Sequence, residues 1–506
     1  MKKLLIAISG LLLPFLPTLS FSQSVSILQS SKIMDDYLHD FFQPTAGNYI
    51  SINYADPHGA FTANRSNAFS ITGYDSKLNP TYSNVISSLA SKTYQGGIEV
   101  DKHLYIFYYD GQAVSMVQID ASNGQPKDNA IQIFNSANAP TELLKGFSED
   151  SAYCYILFKC STSKSKDEIF KGVIMDRKMS IVTKFSFQLS EVKNYIDNTI
   201  CTLSSTGRLF VMNAIRVKPE KDDYRPLLYA IAQINPDGSF TTTMNTGLPQ
   251  GRLNNLVCSA TTNGFKITGL MAKTEKEGFT TIFTGEYDTE EKKVVRQQQS
   301  PLTEEPYWKK IPGSKWRDGK PNGIPPTATL AQSFRDDDGA ITLLLQQKES
   351  ILIIGGSYTY TDYYEGSIFI VKIKKDGKLD WINMIPFYAT EKPSPIYSGF
   401  LAFRQNINNI YLLYHDIEKN TKIDEGDLPA LVALDKSRVR SAVLVLATIK
   451  PNGNKSSSVV NIQEDEDFHI APHQPYTAYN GEVIATSYEY KNAGRSNYKP
   501  ALIKIK

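Results

Sequence analysis

One stretch constrains the fold more than any other: residues 366–386, GSIFIVKIKKDGKLDWINMIP. Ile368, Phe369, Ile370, Val371 and Ile373 are β-branched or aromatic, and Lys372 and Lys374 begin a polar alternation, as in a strand. Lys375-Asp376-Gly377-Lys378 reads as a hairpin turn, because Asp-Gly supplies residues that tolerate positive φ. Leu379, Trp381 and Ile382 then open a second strand. The same strand–turn–strand pattern returns at 68–86, 115–133, 170–187, 227–244, 280–295 and 442–462, with a half copy at 500–506. Gly124, Gly238, Gly377 and Gly453 mark its turns.

Two further strand candidates lie between successive copies. The best pairs are 199–215 and 256–272, in which Cys201 aligns with Cys258 and Gly207 with Gly264. Similar pairs are read in 341–357 and 400–416. Each repeat of roughly 50 residues then holds four antiparallel strands, a to d, the signature of a β-propeller. One such sheet cannot bury both of its faces, and radial packing covers them while leaving only short edges. The last repeat has strands a, b and c but no d, and residues 24–29, SVSILQ, supply a lone strand near the start. Joined, they close a ring of eight four-stranded blades. If residues 37–86 do not form a full blade, the count is seven.

Gly377 followed four residues later by Trp381 gives the unit a further mark. In this it resembles the repeats of bacterial secreted β-propellers, which run from apolar strand through an Asn/Asp/Ser-Gly turn to a Trp at that spacing. The resemblance is specific for this one repeat and implies a fold rather than an activity.

Residues 1–22 read as a secretory signal peptide. Lys2 and Lys3 form the basic region, Leu4 to Leu16 the apolar region, and Ser20-Phe21-Ser22 a small-x-small cleavage site before Gln23. No later run approaches the roughly 18 apolar residues that span a bilayer. The sequence therefore predicts one propeller over 23–506, periplasmic or extracellular, with no membrane anchor, acting as a monomer. A net charge of +2 gives no overall drive toward nucleic acid. Cys154 and Cys160 fall on one strand, too far apart along it to bond each other. Cys201 and Cys258, at one position of successive repeats, read as free thiols.

In a propeller the d-to-a and b-to-c connections share one face. The long connections here, 301–339, 357–366, 386–399 and 415–440, all sort onto it, and long connections are where function concentrates. They carry Tyr307, Trp308, Trp316, Tyr358, Tyr360, Tyr363, Tyr364, Tyr388 and Tyr397, together with Arg317 in a local basic cluster. Such rings among charged residues suit protein or glycan recognition, or simply pack the loops onto the ring.

Chemical motifs are sparse. His469 and His473 have zinc-like spacing for a helix, but Pro472 and the strand context argue against it. Asp416-x-Glu418-x-Asn420 and Asp336-Asp337-Asp338-Gly339 have the acidic character of calcium loops without their full pattern. No cofactor or metal is expected from either. Asp362, Glu365 and Glu391 are the carboxylates available for glycoside chemistry. No nucleophile elbow or phosphate-binding glycine loop is present. The expectation is an exported, non-catalytic propeller that binds a protein or glycan of the bacterial envelope or extracellular space. The alternatives are a propeller hydrolase or lyase and a structural part of a surface complex.

Overall fold

A computed structural model describes residues 25–30, 37–45, 47–55, 68–90, 92–137, 139–161, 168–188, 195–216, 227–244, 246–249, 252–272, 278–302, 323–354, 359–392, 396–405, 409–423, 429–434, 439–460, 468–472, 476–479, 482–490 and 496–505. They form eight sheets, each with a four-stranded antiparallel blade, arranged as an eight-bladed β-propeller.

After β1 (Val25–Gln29), the first blade holds β2 (Tyr37–Thr45), β3 (Asn48–Ala55), β4 (Ala68–Tyr74) and β5 (Pro80–Ile86). The second holds β6 (Thr93–Val100), β7 (His103–Tyr109), β8 (Ala113–Ile119) and β9 (Ile131–Asn135). The third holds β10 (Glu142–Phe147), β11 (Tyr153–Ser161), β12 (Glu168–Asp176) and β13 (Ile181–Gln188). The fourth holds β14 (Tyr195–Leu203), β15 (Leu209–Arg216), β16 (Leu227–Ile234) and β17 (Phe240–Thr243). The fifth holds β18 (Arg252–Thr261), β19 (Gly264–Ala272), β20 (Thr281–Asp288) and β21 (Lys293–Pro301). The sixth is built on β22 (Ala328–Arg335), β23 (Ile341–Ile354), β24 (Thr359–Ile373) and β25 (Leu379–Ile385), with β26 (Ala389–Glu391) added to it. The seventh holds β27 (Leu401–Gln405), β28 (Asn409–Asp416), β30 (Val443–Ile449) and β31 (Lys455–Val460), while β29 (Val432–Ala433) joins the sixth sheet.

The eighth blade closes the ring with both ends of the chain. β32 (His469–Ile470) and β33 (Thr477–Tyr479) both pair along one edge of β34 (Glu482–Tyr490), whose other edge pairs with β35 (Ser496–Ile505). β1 then lies antiparallel to β35, from Val25 opposite Ile505 to Gln29 opposite Ala501. Residues 37–86 make a complete blade, so the count is eight rather than seven. Val25 and Ile505 meet where the other blades have their c-to-d turns, on the face opposite the long connections.

The inner strands of this ring are buried on both sides, which explains their near-continuous apolar runs, while outer strands such as β5 and β17 stay largely exposed. In β24, Phe369, Val371 and Ile373 pack toward the fifth blade, and Ile368 and Ile370 toward the seventh. Leu343 and Leu345 of β23 follow the first group and Leu344 the second. Each junction between blades thus has its own apolar cluster. Among the described residues the smallest joins the eighth blade to the first, where Tyr498 Oη donates to Asn53 Oδ1 and Tyr49 Oη donates to Glu482 Oε2 at 2.6 Å.

The c-to-d turns form a second set of inter-blade contacts. Tyr82 Oη donates to Ala121 O of the next blade's turn at 2.9 Å, Thr183 Oγ1 to Pro236 O, and Trp381 Nε1 to Pro451 O at 2.9 Å. Each donor stands four residues after a left-handed turn residue: Leu78 at φ 58°, Met179 at φ 61° and Gly377 at φ 83°. That geometry accounts for the Gly-to-Trp spacing. At the closing junction Ser30 Oγ of the β1 end donates to Leu78 O at 3.0 Å, in the same sense.

Three strand expectations need correction. Residues 341–354 are one long strand with a bulge between Gln346 and Lys348, not two strands around a turn. The first strand of that blade is β22, within the segment expected to be connection. Residues 359–366 are likewise strand rather than loop.

Candidate functional site

The long connections of the sixth and seventh blades converge as expected, but they do so as a sheet. β23 and β24 run past the blade as a hairpin, pairing Lys348 with Glu365 through to Ile354 with Thr359. β26, from the connection after β25, pairs with Tyr363 to Glu365. β29, from the connection after β28, lies parallel to β26, with Ala389 opposite Val432. Three separate connections therefore build one extension, of order β23-β24-β26-β29. The Thr- and Tyr-rich run at 359–364 favours strand over loop, and β26 and β29 cover one edge of the hairpin.

This extension exposes large aliphatic groups. Ile351 is 40% exposed, Leu352 59% and Leu431 49%. Around them Tyr360, Tyr363, Tyr364 and Tyr388 are half-buried, with Lys392 Nζ 5.0 Å from the Tyr360 ring centroid. The aliphatic residues were not among the sequence candidates. Their signal was the run Ile351-Leu352-Ile353-Ile354, which reads equally well as core.

Tyr397, expected among the surface rings, is 2% exposed and sits inside. Its ring is edge-on to His415, His469 and Tyr488, with centroids 6.1–6.2 Å away, and its Oη donates to Tyr488 O at 3.1 Å. Tyr307, Trp308, Trp316, Arg317 and Tyr358 lie outside the described residues, as does His473.

The three carboxylates come together in this sheet, each with its own partner. Glu365 and Glu391 share a face as diagonal neighbours, and Asp362 points the other way, because Glu365 is opposite Ala389 and Tyr363 opposite Glu391. Gln346 Nε2 donates to Glu365 at 2.9 Å. Lys392 Nζ lies 3.1 Å from Asp362. The backbone amides of Tyr397 and Ser398 donate to Glu391 Oε2 at 2.9 and 2.8 Å. Burial pushes the Glu391 carboxyl up to about 7 despite these donors.

Next to it, on β28, His415 is 3% exposed. Its Nε2 donates to Ile470 O at 2.7 Å, which fixes the tautomer and leaves Nδ1 without a partner among the described residues. Burial depresses the imidazole to about 4. Asp416 is raised by burial to about 6, while accepting from Ile417 N at 2.8 Å and Asn420 Nδ2 at 2.7 Å. Asn420 in turn makes two bonds with the Ala430 backbone, closing the 417–430 connection. Asp416 and Asn420 thus shape a loop through hydrogen bonds to each other and to the backbone.

No family model matches this chain, and no curated protein matches it. Solved structures do align. Prolyl oligopeptidase B from Galerina marginata is 11% identical, over 90% of this chain and 55% of that one, with a TM-score of 0.39. An acylaminoacyl peptidase from Pyrococcus horikoshii is 10% identical, over 91% of this chain and 58% of that one, at 0.35. A protein of unknown function from Dyadobacter fermentans is 7% identical, over 96% of this chain and 98% of that one, at 0.28. The chain spans little more than half the length of either peptidase, and at these values no activity or substrate transfers from them. Among the described residues no helix is long and apolar enough to cross a membrane.

Proposed function

We propose that this protein is an exported, non-catalytic binding propeller that recognises a protein partner of the bacterial envelope or extracellular space through its long-connection face. The observation that carries the reading is the extension β23-β24-β26-β29. It exposes Ile351, Leu352 and Leu431, with Ile351 and Leu352 on opposite faces of β23, and tyrosines stand on the paired strand. Exposed aliphatic tips favour a protein surface over a glycan, which is gripped chiefly by flat ring faces and polar groups. The shifted groups at this face also weigh against a hydrolase. Glu391, His415 and Asp416 are buried and held by backbone or amide partners, whereas a general acid or base must reach its substrate. Export is supported by the basic, apolar and small-x-small pattern of residues 1–22.

The test compares the wild-type protein with an Ile351→Lys, Leu352→Lys variant on a glycan array and on a panel of purified envelope proteins. The expected result is a silent array and one protein bound by the wild type and not by the variant, at equal melting temperature. Binding that survives the substitutions removes the extension as the contact. Array signals lost in the variant make the ligand a glycan. Turnover of a peptide or polysaccharide replaces the reading with the hydrolase.

A further inference from the structure

We infer that a cleft between the sixth and seventh blades binds a chloride ion, which ties the two blades together. The cleft lies on the face of the short turns, away from the extension. Lys372 of the sixth blade and Arg404 and Lys450 of the seventh line it, with one carboxylate, that of Asp336. Asp336 is already engaged twice. Lys372 Nζ lies 3.0 Å from one oxygen and Arg404 Nη2 lies 2.6 Å from the other. The carbonyl of Pro451, also in the wall, accepts from Trp381 Nε1 at 2.9 Å and from Lys372 Nζ at 3.4 Å.

What the cleft has left over is donors. Arg404 Nη1 donates to Arg335 O at 3.1 Å, but its Nε is shielded from solvent with no partner among the described residues. Thr342, another wall residue, is 1% exposed, and its Oγ1 likewise has no partner among the described residues. Lys372 keeps one of its three N–H groups, and Lys450 adds an ammonium from an exposed position. Shielded donors without acceptors cost free energy. Lysine and arginine only donate, and the carboxylate and carbonyl beside them are engaged, so a cation finds no ligands here. A water would have Thr342 alone to accept its protons, whereas an anion can accept from every one of these groups. The space sets the size of that anion, since it holds about one water-sized group. Ile410 and Ile449, both buried, wall it with hydrocarbon. A monatomic, weakly hydrated anion suits such walls, and sulfate or phosphate, with four oxygens, does not.

The experiment measures the melting temperature in sodium chloride and in sodium gluconate at equal concentration, for the wild type, Thr342→Val and Lys450→Met. Thr342→Val keeps the shape of a buried side chain. Lys450→Met changes an exposed one and keeps the test open if the first variant misfolds. The expected result is a melting temperature that rises with chloride and saturates, with roughly fivefold more chloride needed for the half-rise in each variant, the weight of one hydrogen bond. Crystals grown in sodium bromide should show an anomalous peak within about 3.5 Å of Thr342 Oγ1 and Arg404 Nε. Equal melting in chloride and gluconate overturns the inference, as does the same chloride response in the wild type and both variants. Bromide found only elsewhere overturns it too, and makes the occupant of the cleft a water.

Discussion

Trp381 Nε1 donates to the carbonyl of Pro451 at 2.9 Å, tying the last strand of the sixth blade to the turn of the seventh. Its ring also lies against that turn. A Cβ added at Gly453 would stand 2.9 Å from Trp381 Cγ and Cδ2, and Gly453 has φ +86°. Trp381→Phe removes the bond and part of the ring that packs on the turn, at a cost of about 1–3 kcal/mol. Gly453→Ala is expected to cost about 1–3 kcal/mol, through both the contact and the left-handed backbone. Urea denaturation followed by circular dichroism measures both. A neutral Gly453→Ala would mean that the turn does not bear on its neighbour.

Two tyrosine hydroxyls, of Tyr498 and Tyr49, bond across the closing junction. Tyr498→Phe leaves Asn53 Oδ1 buried without that donor, and a loss of about 1–3 kcal/mol is expected. Tyr108→Phe, at the junction of the first and second blades, is the control. Its ring is buried in a larger apolar cluster, and the change should cost less. Thermal melts of the two variants compare the junctions directly.

Stability should depend on pH in two opposed ways. Glu391 and Asp416 are raised to about 7 and about 6, so the folded state holds their protons more tightly than the unfolded chain does. Their contribution is full below the ordinary carboxylate range and is lost as pH rises toward 7. His415 is depressed to about 4, so its contribution is full above about 6.5 and is lost as pH falls toward 4. Across about pH 4 to 7 the two carboxyls outweigh the one imidazole, so the melting temperature should fall as pH rises through this window. Glu391→Gln should flatten the fall on the alkaline side, and an unchanged profile would remove Glu391 as its source.

The cysteines should be inert in the native protein. All four are free, and burial pushes the thiols of Cys154 and Cys258 up to about 12 and raises those of Cys160 and Cys201. Since the thiolate is the reactive form, iodoacetamide at pH 8 should leave them unmodified and label all four in denaturant. Mass spectrometry of the intact chain counts the additions.

The architecture was legible because its signals are local. Asp376-Gly377 gives the turn, the run from Ile368 to Ile373 gives a strand buried on both sides, and 24–29 supplies the strand missing at 500–506. Residues 341–354 were harder, since Gln346 to Ser350 interrupts the apolar run as a turn would. The bulge after Gln346 absorbs that interruption and keeps one strand. The meeting of β24, β26 and β29 depends on pairing across two blades, and no local pattern encodes it. The burial of Tyr397 follows from Glu391 drawing its amide inward, a contact between side chain and backbone that ring counting cannot anticipate.

The donors at 82, 183, 381 and 30 all reach forward to the next blade's turn, on the face away from the long connections. The long-connection face is tied as well: Asn255 Nδ2 donates to Ala328 O, Leu330 N donates to Asn255 Oδ1, and Tyr397 Oη donates to Tyr488 O. β26 and β29 add a strap there, joining the connections of the sixth and seventh blades. The ring is clasped at both faces, so a load placed on the strap is shared by two blades at once.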